Sequence, residues 1–468
     1  MLLTRLDDFA NVARGGCGDL PDRTIPPQTI LPEEGGPSML TIYGSAQRFC
    51  DGITRRNFLQ IGAFGASLTL ADLLRLRAQA AETSKGKISL PNKAAIMIYL
   101  PGGPSHMDTY DLKPNAPVEF RGEFKPIKTN VPGIEICEYF PLQAKIMDKL
   151  AIIRSIVSVD EHSDSLVMTG YPERISRVTN HPSFGAVVSK LRSGADSAVP
   201  PFVSLRGMSR GTEPGFLGIA HRPFTPSGPG LQNLRLPGNV SLERFEDRRA
   251  LLTSFDGLRR EIDASGTAEG LDAFTQKAID MVLSGNVRRA LDLSTADPAT
   301  RERYKGVEQF LTALRLIEVG VGCVTLSIGG WDTHSNNFTT LKRQLPQVDK
   351  GVANLIQDLH ERGLDRDVLV VMWGEFGRTP KVNNQAGRDH WAPVMSALVA
   401  GGGMKMGQVI GSSTERGERP KDRPCTVSQV LATLYTAMGI DPAMTFLNGA
   451  GRPVHLLDDR QVLSELLG

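Results

Sequence analysis

The sequence predicts an α/β fold, with a mostly parallel central sheet flanked by helices on both faces. Three observations predict it. Strand-like runs, glycine turns and helical runs recur in the order strand, turn, helix, strand. The runs at 94–100 and 368–373 are apolar without a break, as in strands buried on both faces. Polar residues crowd in directly after the strand ends, at the edge where open α/β sheets bind ligands.

Composition bounds the rest. With 468 residues, 40% of them hydrophobic, the chain can bury a large core, and a single domain of about 380 residues or two lobes is expected. A net charge of +2 without any long basic run gives no reason to expect a nucleic-acid partner. The five cysteines are far apart and form no CxxC, which argues against a disulfide framework or a zinc–thiolate site.

Residues 1–38 are Pro/Gly-rich and unpatterned, and read as disordered or as an extension ahead of a true start at Met39. Residues 39–80 read as an export signal. Thr54-Arg55-Arg56-Asn57-Phe58-Leu59-Gln60 matches the twin-arginine pattern, an apolar run follows at 61–74, and Ala78-Gln79-Ala80 supplies an A-x-A cleavage site. The apolar run is too short to span a membrane comfortably. The expected route is the twin-arginine translocase, to the periplasm or cell surface, which carries proteins already folded.

Residues 85–468 read as the α/β domain. The first strand, at 94–100, runs into Pro101-Gly102-Gly103 and then His106, Asp108 and Asp111; a tight loop with Asp111 as a turn residue is the plainer reading of that stretch. A hairpin is expected over 123–138 with its turn at Val131-Pro132-Gly133, and a strand over 149–157. His162 to Asp164 are placed to cap a helix starting near Ser165, where amides and a positive dipole end suit an anion or an activated hydroxyl. A helix over 184–191 and a strand near 200–203 follow. An insertion at about 207–320 is loop-rich to 240 and then mostly helical, with the charges at 243–249 on a solvated face. The strand at 323–328 breaks at Gly329-Gly330 and delivers Asp332 and His334. A helix over 345–362 carries Val348, Val352, Leu355, Ile356 and Leu359 on one face. The strand at 368–373 ends in Gly374 and a polar cluster that includes Glu375, Arg378, Arg388, Asp389 and His390. A strand at 394–400, the Gly401-Gly402-Gly403 run, a hairpin, a helix over 426–438 and a C-terminal helix complete the chain. The glycine run is weak evidence for phosphate binding, because no GK[ST] follows. The absence of GxGxxG and GxSxG disfavours a dinucleotide fold and the common α/β-hydrolase arrangement.

The stretches LPGGPSHMDTYDLKP (100–114), RGEFKPIKTNVPGI (121–134), HSDSLVMTG (162–170), NHPSFGAVV (180–188), GGWDTH (329–334) and GEFGRTP…GRDHW (374–391) resemble the domain-of-unknown-function-1501 family, frequent among exported proteins of planctomycetes. The resemblance covers nearly everything from Met39 onward. It implies the fold of the alkaline phosphatase/sulfatase superfamily, in which an Asp and a His precede a long helix, the next strand ends in Asp-His, and a further His follows. It makes Ser165 or Ser163 the candidate nucleophile. The pattern also departs from that superfamily: Asp-Gly after the first strand is replaced by Pro101-Gly102-Gly103, Asp-His after the later strand by Glu375-Phe376, and no Cys-x-Pro-x-Arg is present.

Two functions follow as expectations. One is an exported metal-dependent hydrolase of phosphate or sulfate esters. Its divalent metal, zinc or manganese by the share of histidine and otherwise calcium or magnesium, is drawn from Asp108, His162, Asp332, His334, Glu375, Asp389 and His390. Arg378 or Arg388 would hold the anionic oxygens of a small-molecule or polysaccharide ester. The other is an exported binding or scaffold protein that keeps the fold without the chemistry, with a cytochrome-like or planctomycete-specific exported protein as partner.

Overall fold

A computed structural model describes residues 93–192, 199–207, 209–226 and 285–467, all within one compact unit. The expected N-terminal extension, the signal region and the middle of the insertion lie outside the described residues. Among the described residues no helix is long and apolar enough to cross a membrane.

An eight-stranded sheet forms the frame. Its strands are β1 (Ala94–Tyr99), β2 (Leu150–Val157), β3 (Phe202–Ser204), β4 (Cys323–Ser327), β5 (Val368–Trp373), β6 (Met395–Gly401), β7 (Gln408–Ile410) and β8 (Cys425–Thr426). They stand in the order β7-β2-β6-β5-β1-β4-β3, with β8 also paired to β2. Every pairing is parallel except the two made by β6, which runs against both β5 and β2. The sheet is therefore mixed and mostly parallel.

Helices cover both faces, so the central strands are apolar on both sides, as their unbroken runs require. Ala94, Ile96 and Ile98 of β1 pack with α3 (Glu308–Glu318) and α4 (Asn337–Glu361). Ala95, Met97 and Tyr99 pack on the other side with α2 (Phe184–Arg192) and α5 (Val427–Ala437). Ahead of α2, α1 (Ser165–Thr169) is a single short turn of helix. Thr426 starts α5 with a capping box closed by Gln429.

Two expectations need correction. The long helix begins at Asn337, well before the expected start, and carries Pro346 inside it. Buried Phe338, Leu341 and Leu345 continue the apolar stripe, and this packing outweighs the cost of the proline. The expected C-terminal helix does not form among the described residues. After a hairpin of Thr445–Leu447 and Pro453–His455 the chain runs through turns. Leu456, Leu457, Leu463 and Leu466 are buried against the α5 side of the sheet, and the Glu465 and Leu466 carbonyls accept hydrogen bonds from Gln408 and Lys405. Those carbonyls serve tertiary contacts in place of a helical ladder.

Register explains the site. Tyr99 pairs with Ser327 on one side and Trp373 on the other, so β1, β4 and β5 end at one level. β2 ends at the same edge, and antiparallel β6 begins there. Four connections therefore converge on the carboxyl edge of the sheet, those after β1, β2 and β4 and the one that joins β5 to β6. The Gly401-Gly402-Gly403 run follows the far end of β6 and lies at the opposite edge, away from this convergence.

Candidate metal centre

Asp332 is the hub. It follows the glycine turn after β4, and three imidazoles present Nε2 to its carboxylate. His334 Nε2 lies 3.1 Å from Asp332 Oδ1, His390 Nε2 3.0 Å from the same oxygen, and His162 Nε2 3.4 Å from Oδ2. His334 Nε2 and His390 Nε2 are 3.1 Å apart. Potential ligand atoms of His162, Asp332 and His390 all lie within 4.8 Å of one another. His162, Asp332 and His334 are about half exposed and His390 less so, so the cluster opens to solvent.

Behind the imidazoles stand more carboxylates. Asp389 Oδ1 is 2.7 Å from His334 Nδ1, and Glu375 Oε1 is 3.0 Å from His162 Nδ1. An Nδ1–H donated to a carboxylate leaves the Nε2 lone pair facing the hub, an arrangement common for histidines that bind metals. Asp160 lies on the Nδ1 side of His390, at 3.8 Å. Asp389 and Glu375, expected as direct ligands, stand on the Nδ1 side of the rings, away from the Nε2 atoms that face Asp332.

The hub is held charged. Burial opposes its ionisation, but hydrogen bonds from Arg378 and His390 and the charges of Arg378 and His334 hold the Asp332 carboxyl well below the ordinary carboxylate range. The hydrogen bond from His334 also lowers the Asp389 carboxyl. Glu375 is almost fully buried; its Oε1 accepts from Gly102 N at 2.8 Å, while its Oε2 is buried with no hydrogen-bond partner. Burial and the charge of Glu375 push the neighbouring Tyr99 phenol far above its usual range.

These donors fit a divalent cation. Ligands about 2.1 Å from one metal stand roughly 3.0–3.4 Å apart, and the triangle of Asp332 Oδ1, His334 Nε2 and His390 Nε2 matches that spacing.

Other expected site residues do not join the cluster. Asp108 and Arg388 are fully buried and pair with each other at 2.7 Å and 3.0 Å. Arg388 spends its remaining N–H groups on the carbonyls of Thr379, Pro380 and Phe120, so it has none left for an anion. Arg378 donates to Gly102 O, Gly103 O, Arg388 O and, at 2.5 Å, Asp332 Oδ1; it positions the hub and has little left to clamp a substrate. Ser165 is fully buried and its hydroxyl donates to Tyr171 O at 2.9 Å. Ser163 Oγ accepts from Ser165 N at 3.2 Å and also serves Glu173. Neither serine makes a hydrogen bond to the cluster.

Sequence reasoning missed Asp160, Asn337 and Arg206. Arg206 lies over the Tyr99 ring, 4.4 Å from its centroid, and pairs with Asp164 at 2.5 Å. Asp164 also accepts from Ser209 Oγ and Gly211 N, tying the 206–212 segment to the start of α1. No short motif marks these residues; only the folded chain brings them to the site.

Fold and site together define an α/β protein with an imidazole–carboxylate centre at the carboxyl edge of its sheet. The chain belongs to the family described as "Protein of unknown function (DUF1501)", whose model matches residues 92–467. No curated protein matches it. Among solved structures it is similar to the PsFucS1 sulfatase from Pseudoalteromonas sp., at 12% identity over 77% of this chain and 70% of that one, TM-score 0.35. The phosphonate monoester hydrolase SpPMH from Silicibacter pomeroyi aligns at 12% identity over 75% and 74%, TM-score 0.32. The lipoteichoic acid synthase LtaP from Listeria monocytogenes aligns at 10% identity over 81% and 78%, TM-score 0.29. At these TM-scores the likeness says nothing about chemistry.

Proposed function

We propose that the protein is an exported metal-dependent hydrolase of phosphate or sulfate esters. The observation that carries this reading is the convergence of three imidazole Nε2 atoms on Asp332, with carboxylates at 2.7 Å and 3.0 Å from the Nδ1 atoms of His334 and His162. Asp332, His334, His390 and His162 would hold the cation. Three imidazoles and one carboxylate favour zinc or manganese over magnesium or calcium. When bound, the cation supplies charge stabilisation for ester oxygens and a nucleophile at neutral pH.

The chain's own residues prepare that chemistry. Asp389 and Glu375 fix two ring orientations. Arg378 keeps Asp332 ionised and aimed. The open side of the cluster admits an anionic small-molecule or polysaccharide ester, and the order Asp332, His334, long helix, strand, His390 is similar to that of the superfamily whose members cleave such esters. Export through the twin-arginine translocase to the periplasm or cell surface belongs to the same proposal and rests on the sequence of residues 54–80.

A second reading is an exported binding or scaffold protein that keeps the fold without the chemistry, docking an exported cytochrome-like or planctomycete-specific protein. The hydrogen-bonded Ser165 hydroxyl and the fully engaged Arg388 favour it.

The test is elemental analysis of the folded chain purified without chelator, beside His334→Ala. One or two equivalents of zinc or manganese in the parent, reduced at least tenfold in the variant, support a metal centre. Hydrolysis of aryl phosphates or aryl sulfates by the loaded parent then selects the hydrolase over the scaffold. A parent that takes up neither metal after loading sinks the hydrolase and leaves the scaffold.

A further inference from the structure

Beneath the candidate centre lies a buried polar network. Asp108, Arg388 and Asn337 are fully buried. Arg388 Nε and Nη2 engage both oxygens of Asp108, at 2.7 Å and 3.0 Å. Asn337 Nδ2 donates to Asp108 Oδ2 at 2.9 Å, and Thr333 Oγ1 donates to Asn337 Oδ1 at 2.6 Å. Arg388 N donates to Thr333 O at 3.0 Å, closing the loop, and Arg388 O accepts from Arg378 at 3.0 Å. Gly122 leaves room for the pair: a Cβ there would meet Asp108 Oδ1 at 2.8 Å.

The network touches every segment that carries a candidate ligand except the His162 loop. Thr333 lies between Asp332 and His334. Arg388 directly precedes Asp389 and His390. Asn337 opens α4, and Asp108 belongs to the connection after β1. A buried ion pair is seldom more stabilising than well-packed apolar groups, but it fixes relative position, because each donor must find its acceptor. An apolar filling would let the 332–334 and 388–390 segments slide against each other; this one holds them in one register.

We propose that Asp108, Arg388, Asn337 and Thr333 are a positioning unit that sets the cation affinity of the centre by locking the Asp332–His334 segment to the Asp389–His390 segment. This rests on the metal reading above. None of the four donates to or accepts from a ligand at the open face; all act through the residues they hold.

The test is zinc affinity by competition with a chromophoric chelator on the full-length chain, with the cobalt(II) absorption spectrum as a second readout. Arg388→Lys removes the two-pronged pairing and is expected to weaken zinc binding at least about 10-fold. Since that change also touches a buried charge, Thr333→Val provides a milder cut. It is expected to weaken zinc binding about 10-fold and alter the cobalt spectrum, with the parent's circular dichroism retained in the metal-free state. Thr333→Ser is expected to restore both. Zinc binding by Thr333→Val equal to the parent's, or equally weak in Thr333→Ser, would overturn the proposal while leaving the metal centre standing. A parent that binds neither zinc nor cobalt would overturn the metal reading, and this one with it.

Discussion

His181 shows how a single buried side chain writes a pH dependence into the fold. Its ring stacks on Tyr171 with centroids 3.5 Å apart, and its Nδ1 is buried without a partner. Burial depresses its pKa to about 4, against the opposing pull of Asp458. As pH falls below about 6.5 the unfolded chain takes up a proton that the folded chain refuses. The stability due to the neutral ring is therefore complete above pH 6.5 and is lost as pH falls towards 4, an effect on the order of 3 kcal/mol. His181→Phe keeps the stack and removes the titration. Unfolding free energies at pH 7 and pH 4.5 should fall less in this variant than in the parent; an equal fall would clear His181 of the effect. The sequence presented His181 as one polar residue before a helix, and only burial gives it this role. The same holds for Asp108 and Arg388, whose residue types suggested a ligand and an anion clamp. Sequence carries the chemistry of a side chain but not which way it faces.

At the scale of elements, the connection after β1 is built on glycine. Gly102 has φ +100, and a Cβ there would stand 2.5 Å from Asp332 N. Its N–H bonds Glu375, and its carbonyl accepts from Arg378. Gly102→Ala should cost at least roughly 1–3 kcal/mol from backbone strain alone and lower metal uptake as well. Gly133 in the hairpin turn has a similar φ of +83 with nothing within 4 Å, so Gly133→Ala carries the backbone strain without the clash. Urea unfolding and metal content of the two variants should separate; equal metal content would mean the Gly102 approach is not required by the site. The glycines at strand ends were legible as turn signals. That Pro101-Gly102-Gly103 makes a turn after the first strand was also legible, but its use as a backbone partner for Glu375 and Arg378 was not. Such use depends on the neighbour that β5 brings alongside.

For the whole molecule, stability resides in the two-sided sheet. Leu369 of β5 is fully buried, whereas Val178 is 85% exposed. Leu369→Ala should lower the unfolding free energy by roughly 2–5 kcal/mol, and Val178→Ala should stay within about 0.5 kcal/mol of the parent. Comparable losses at both positions in urea titrations would contradict a core organised on the two faces of the sheet. That core also sets the site, since β1, β4 and β5 must end level for Glu375, Asp332 and the Gly102 backbone to meet.

The sequence by itself determined the α/β class, the central strands and the glycine turns, and it offered seven candidate ligands from which folding brings His162, Asp332, His334 and His390 together. Period, β-branching and turn chemistry are local properties, and local properties are readable along a chain. The reversal of β6, the early start of α4 and the missing C-terminal helix were decided by the tertiary structure. So was the sorting of the remaining polar residues into ring-orienting carboxylates and a buried positioning network. Each depends on partners distant in sequence, such as Asp108 and Arg388 or Gly102 and Glu375, and a buried charge takes its role from the partner that folding supplies.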